Sequence, residues 1–309
     1  MRFMHCGSWL LILSLLLITI PAEASEKPRT LVHHDLAVRI DTFSQTLEGS
    51  DTVTVPGNGT KLPLVFVLHP DVRVHAVTHA ARNLPFQLQR GVLQISESAF
   101  PHEGNQTVTI RYTAAFRDAI PQDPLYSEDP SYGVTGGIAP RGLLLMEAAG
   151  WYPRAPGALA TFRVQADVPK GLEVITAGTF KERKAEGDRL IFVWEVQQPV
   201  RGLSLSGGSY LVKTGHAGQI PTFFYHFAGS EALAEPYLSA VARYLRLYED
   251  LFGPYPFPKF AVVENFFPTG YGFPSYTLLG SQVIRLPFII ETSLGHEVAH
   301  SWWGNGVLV

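Results

Sequence analysis

The stretch His296-Glu297-Val298-Ala299-His300 carries two histidines four positions apart, with a glutamate directly after the first. On a helix, positions i and i+4 lie one turn apart on the same face, so both imidazoles can ligate one zinc ion. Glu297 sits beside them, where it can take a proton from a metal-bound water, and an open fourth position would hold that water. The chemistry is metal-assisted hydrolysis. The bland alternative is a solvated helix face that happens to carry these residues. The surroundings oppose it: Leu294, Val298 and Trp302 form one apolar stripe, while Trp303 extends the face of His296 and His300. Glu297 is the only charged side chain between Thr292 and Val309, so the helix reads as buried all round. A buried carboxylate beside two imidazoles is costly unless a metal or hydrogen bonds satisfy it.

The spacing predicts this helix from Thr292 or Ser293 to about Trp303, with Gly304-Asn305-Gly306 as its stop. An earlier helix is read from Tyr237, Val241, Tyr244, Tyr248 and Leu251, with Ser230 as N-cap, Glu231 in the first turn and Gly253-Pro254 as terminator. Phe260-Ala261-Val262-Val263 reads as a short buried strand between the two. Upstream, from about Leu31 to Lys213, the signals are those of strands: Leu36 to Ile40, Thr107 to Tyr112 and Phe162 to Ala166 alternate, and Leu190 to Trp194 is a continuous apolar run. Pro and Gly clusters separate them, and no helical period appears before residue 230. The expected architecture is an antiparallel β-saddle or sandwich over residues 25–215, then the beginning of an α/β domain over 216–309. His33, His34, His69, His75 and His79 lack metal-ligand spacing and read as structural or surface histidines. Phe223-Phe224-Tyr225 reads as a core strand. No nucleophile elbow, P-loop or dinucleotide fingerprint is present.

Residues 1–24 have one early positive charge (Arg2), an apolar run from Trp9 to Ile20 and an A-x-A end at Ala22-Glu23-Ala24. This is the pattern of a secretory signal peptide cleaved after Ala24, and the apolar run is too short to span a bilayer comfortably. The expected location is secreted or periplasmic, with no membrane span after cleavage. The single cysteine, Cys6, lies inside this segment, so the mature chain would be held by its core or a metal rather than by disulfides. Asn58-Gly59-Thr60 and Asn105-Gln106-Thr107 fit the N-glycosylation pattern, which is short enough to arise by chance. The 309 residues are 46% hydrophobic and 17% charged with a net charge of −3, which excludes a disordered chain and argues against nucleic acid as a partner.

His296-Glu297-Val298-Ala299-His300-Ser301-Trp302-Trp303-Gly304-Asn305 resembles the H-E-x-A-H-x-W-[FW]-G-[ND] segment of the gluzincin metallopeptidases grouped with membrane alanyl aminopeptidase. The run Tyr248 to Lys259 is similar to that family's helix end, turn and Y-P-x-P-K strand entry. Thr161 to Gly171 is similar to a strand and V-P-x-G turn of its N-terminal β domain. The resemblance implies a β-saddle followed by a thermolysin-like catalytic domain, with His296 and His300 as zinc ligands, Glu297 as general base and a peptide or protein as substrate.

Two departures from the family stand out. Its third zinc ligand is a glutamate nineteen positions past the second histidine, and its oxyanion tyrosine lies further on; both would fall beyond Val309. The catalytic domain is therefore expected to be truncated and the 309-residue chain inactive alone. The family's G-x-M-E-N motif, whose glutamate binds the substrate amine, aligns with Phe266 to Gly270 when Tyr271-Gly272 is matched to the W-G that follows. Thr269 then replaces the glutamate, leaving Thr269, Gly270, Tyr271 and Gly272 as candidate substrate-binding positions. Glu147, in Leu145-Met146-Glu147-Ala148-Ala149, resembles a second amine-binding glutamate but also reads as a surface carboxylate, and Glu264 reads as the end of a strand. Three readings follow: an exported, aminopeptidase-like zinc peptidase; a zinc endopeptidase without free-amine recognition; and a non-catalytic binding or scaffold protein with a vestigial metal site.

Overall fold

The computed structural model describes residues 30–57, 64–96, 104–120 and 133–306. The signal-like segment with Cys6 and the Asn58 acceptor pattern lie outside the described residues. Alternation in the first strand, Leu31–Asp41, puts Val32, His34, Leu36, Val38 and Ile40 on the buried face and their neighbours outward. This strand is central in an eight-stranded sheet. In spatial order the sheet runs Thr179–Glu186, Arg189–Val200, Leu159–Pro169, Leu31–Asp41, Thr46–Val55, Gln106–Ala115, Arg73–His79 and Arg82–Asn83. The pairing is antiparallel throughout except between Leu31–Asp41 and Leu159–Pro169, which run parallel. Smaller sheets of four strands (Glu173–Thr176, Leu205–Gly208, Gly142–Leu145, Gly136–Ala139) and three strands (Leu64–Val67, Val92–Ile95, Phe86–Gln89) complete the β domain.

His34 is buried and bonded through Nδ1 to Asp51 at 2.7 Å, stacked on Phe162, which makes it the satisfied structural histidine the sequence suggested. Gly49 is a close-approach position: a Cβ there would fall 2.1 Å from the ring of buried Tyr112, whose hydroxyl donates to the carbonyl of Trp151.

Every residue of the strands Gly142–Leu145 and Leu205–Gly208 is buried, because the four-stranded sheet is covered on its outer face by a second unit. That unit is a five-stranded sheet in the order Leu211–Ala217, Ile220–His226, Phe260–Asn265, Tyr276–Gly280, Gly270–Phe273, with helices α1 (Ala234–Phe252) and α2 (Ser293–Ala299). In Phe260–Asn265, Ala261 and Val263 join the core of the β domain, while Phe260 and Val262 join a second core formed with α1 and α2. A strand buried on both faces reads as a continuous apolar run, as this one does. Among the described residues no helix is long and apolar enough to cross a membrane.

Three local expectations are corrected. A short 3₁₀ turn, Glu231–Leu233, precedes α1, and the hydroxyl of Ser230 does not cap it. It accepts instead from the Arg285 guanidinium. The buried stripe of α1 runs through Ala234, Tyr237, Leu238, Val241 and Leu245, so Leu251, six positions past Leu245 and a third of a turn off the stripe, is exposed. Helix α2 ends at Ala299 rather than Trp303. Ser301 and Trp302 bond back three residues, to Val298 and Ala299, and the indole of Trp302 is drawn to the Gly253 carbonyl at the end of α1.

A methyl group at position 49 should be felt through the whole sheet: Gly49→Ala is expected to destabilise the chain by about 2 kcal/mol, the usual cost of overpacking. Urea unfolding checks this as a lower midpoint with an unchanged slope.

Candidate metal centre

Helix α2 is held in place from the side of α1. Three tyrosines of α1 donate to main-chain carbonyls along the approach to the histidines: Tyr237 to Ile284 at 2.8 Å, Tyr244 to Ile290 at 3.0 Å and Tyr248 to Gly295 at 3.1 Å. Gly295 lets the two helices meet, since a Cβ there would lie 2.9 Å from the Tyr244 ring. The sequence showed these tyrosines as an apolar stripe; the hydroxyl ladder is a tertiary feature. Leu294, Val298 and Trp302 are buried against the same core, as the stripe predicted.

The opposite face carries the imidazoles. His296 Nε2 and His300 Nε2 lie 3.1 Å apart, with the rings nearly perpendicular. His300 Nδ1 lies 3.2 Å from the Trp303 carbonyl, a contact that suits the tautomer with its proton on Nδ1 and Nε2 as the ligating atom. Two nitrogens on one tetrahedral zinc sit about 3.3 Å apart, so the pair fits such an ion. This face is not closed: His296 is exposed and Trp303 is 52% exposed, which corrects the expectation of a helix buried all round.

Between the imidazoles and the sheet sits Glu297, half-buried, with Oε2 enclosed and without a hydrogen-bond partner. Burial raises its carboxyl above the usual range, and His300, His296 and the Thr277 hydroxyl pull it back. An enclosed, unpartnered carboxylate oxygen beside two Nε2 atoms is what a cation or a proton donor would satisfy. Among the described residues no third His, Cys, Asp or Glu joins the set.

The strand Gly270–Phe273 forms the edge of the sheet beside this face. A Cβ on Gly272 would lie 3.0 Å from both Glu297 Oε2 and His300, so a larger residue there would press on both side chains. Asn305, read from the sequence as part of the helix stop and as the end of the family-like segment, donates to the Gly272 carbonyl at 3.4 Å. Tyr271 stacks on Phe273, and its carbonyl accepts from Thr277 at 3.0 Å. Thr269 is 1% exposed and its hydroxyl has no partner.

A cavity of about 300 Å³ opens between the two units, lined among others by Glu147, Arg201, Phe273 and Asn305. Glu147 is thus brought to the cleft, in a 3₁₀ turn, but it is paired with Arg154 at 2.8 Å. Burial raises its carboxyl and Arg154 opposes that shift. Gly202 makes room for it, since a Cβ there would fall 2.3 Å from its Oε2. Arg154 and Gly202 carried no sequence signal. Glu264 is structural: fully buried, it accepts from Phe227 N at 2.9 Å and from Arg285 at 2.7 Å.

His300→Ala removes one of two facing nitrogens. It is expected to weaken zinc binding to the chain at least hundredfold, since loss of mere outer partners costs about 10–100-fold. Calorimetric titration with zinc checks this.

No protein-family profile matches the chain. Aminopeptidase B of Rattus norvegicus is 23% identical over 160 residues, which cover 48% of this chain and 23% of that protein. The M1 zinc metallopeptidase of Deinococcus radiodurans is 20% identical with a TM-score of 0.70, over 90% of this chain and 64% of that one. A mutant of it bound to a Tyr-Ser-Ala substrate gives 18% identity, a TM-score of 0.65 and the same coverage. A two-domain M1 zinc metallopeptidase mutant bound to L-arginine gives 20% and 0.68, over 90% and 65%. The chain therefore spans less than two thirds of the length of these relatives. Within that span, its β domain and the sheet and helices beside the histidine pair share the fold of the M1 zinc metallopeptidases, and the gluzincin resemblance is borne out at that level.

Proposed function

We propose that this protein is a zinc-dependent peptidase whose metal is held by His296 and His300 and whose general base is Glu297. The observation that carries the reading is the pair of Nε2 atoms 3.1 Å apart with the enclosed, unpartnered Glu297 Oε2 beside them. Bound zinc would supply Lewis-acid activation of water and of a peptide carbonyl. The chain's own residues do the rest. The His300 N–H to Trp303 fixes the ring so that Nε2 faces inward. Glu297 takes a proton at Oε2, and partial burial brings its basicity nearer to neutrality, where proton transfer is efficient. Gly272, tethered by Asn305, keeps the edge strand close to both groups. A third protein ligand would come from outside the described residues. The leader-like pattern of residues 1–24 adds export to the proposal, with the catalytic unit following the β domain from the strand Leu211–Ala217 rather than from residue 216 as read from the sequence.

A second reading, hydrolysis without free-amine recognition, is favoured by the state of the candidate amine anchors. Thr269 is a buried, uncharged side chain, and the Glu147 carboxylate is already met by Arg154. A carboxylate with a guanidinium on it offers less to a second cation.

Glu297→Gln is expected to keep zinc and lower peptide hydrolysis by about 10²–10⁴-fold, the share of a general base. Metal analysis alongside a peptidase assay tests this, and undiminished turnover with zinc bound would remove the assigned base. On the second reading, N-acetylated peptides bind the Glu297→Gln protein at least as tightly as their free-amine counterparts. A tenfold or greater preference for the free amine, measured by calorimetry, restores the aminopeptidase assignment (about 1.4 kcal/mol).

A further inference from the structure

The seam between the β domain and the second unit encloses a lysine with no carboxylate partner. Lys259 is 3% exposed and enters the strand Phe260–Asn265. Its Nζ donates to the Thr176 carbonyl at 3.0 Å, from the four-stranded sheet, and to Ser275 Oγ at 2.8 Å and the Ser275 carbonyl at 3.4 Å, from the hairpin of the second unit. It also lies over the rings of Trp194 at 5.3 Å and Tyr276 at 5.6 Å. One amine therefore touches the large sheet, the small sheet and the catalytic unit.

What it grips is a strained turn. Ser275 has a φ of +69°, a conformation costly for a residue with a Cβ, and it joins the edge strand Gly270–Phe273 to Tyr276–Gly280. The Ser275 hydroxyl also accepts from Gly178 N at 3.1 Å, and its carbonyl from Ala261 N at 3.2 Å. The turn thus fixes the strand that passes Glu297 and His300. We propose that Lys259 is a proton-sensitive positioning residue: it latches the Ser275 turn, and with it the edge strand beside the histidine pair, and the latch tightens as pH rises.

The direction follows from the surroundings. Of the nearby phenols, Tyr276 lies against Nζ and Tyr255 donates to the Lys259 main-chain carbonyl, and burial holds both above their usual range. The acids of the flanking strands are engaged elsewhere: Glu195 with Lys181, Glu173 with Arg183 and Glu264 with Arg285. Burial alone brings the amine down to about 7. Opening the seam to water restores ordinary lysine basicity, so between pH 7 and about 10 the open form binds a proton that the closed form does not. Each unit of rising pH then makes opening about tenfold less favourable, and below pH 7 the effect levels off. The inference holds whether or not the chain hydrolyses peptides.

Hydrogen–deuterium exchange of the full chain, read on peptides spanning residues 176–180 and 270–280, tests it. Protection in wild type relative to Lys259→Met at the same pH is expected to climb by about tenfold per unit from pH 7.5 to 9.5. A loss of protection that is uniform with pH would mean that the lysine only fills space, and it overturns the proposal. Should the Met variant fail to fold, Ser275→Ala keeps the amine with one acceptor fewer. It is expected to move the onset of the rise to lower pH; an onset left in place overturns the proposal equally.

Discussion

The strand Phe260–Asn265 must satisfy two cores at once, and the site depends on that. One face is shared with the β domain through Ala261 and Val263, the other with α1 and α2 through Phe260 and Val262. Such a strand has no solvent face on which to place a polar side chain at low cost. Two polar residues at its ends are tied to specific partners: Lys259 at the entry to Ser275 and Thr176, and Glu264 near the exit to Phe227 and Arg285. Removing the Arg285 side chain would leave the buried Glu264 carboxylate without its cationic partner, which costs far more than a surface pair contributes.

From this sheet the geometry of the histidine pair follows in both directions. On one side, Tyr276–Gly280 pairs with the edge strand and brings Gly272 to Glu297 and His300. On the other, α1 packs across the strands and its tyrosine hydroxyls hold the carbonyls of Ile284, Ile290 and Gly295. Helix α2 has only seven residues, too short to be stable on its own propensity. It is a helix because tertiary contacts hold it, and the His296–His300 spacing is as precise as those contacts.

Much of the fold was legible because the β domain alternates cleanly and because α1 keeps a helical stripe. In Leu31–Asp41 each inward residue is apolar apart from His34, whose partner Asp51 lies on the neighbouring strand. The approach of His296 and His300 on one helix face was legible because the helical period alone places i and i+4 together. The end of α2 was less legible: Trp302 reads as a continuation of the stripe, and only its indole bond to Gly253 shows that the chain has turned. Likewise, nothing in the sequence spacing announces that Arg154, seven residues on, turns back to Glu147, or that Gly202 reaches it from a distant part of the β domain.

By itself the sequence determined the order of a β domain and an α/β unit, the histidine pair and the carboxylate between them, because these depend on local periodicity and residue chemistry. The tertiary structure alone decided which of the candidate polar groups remain unpaired and accessible. Glu147 reaches the cleft but is met by Arg154, Thr269 is turned into the interior, and Glu264 is consumed by a structural pair. Availability depends on which groups are desolvated together, and that is a property of contacts between segments far apart in the chain rather than of any one segment.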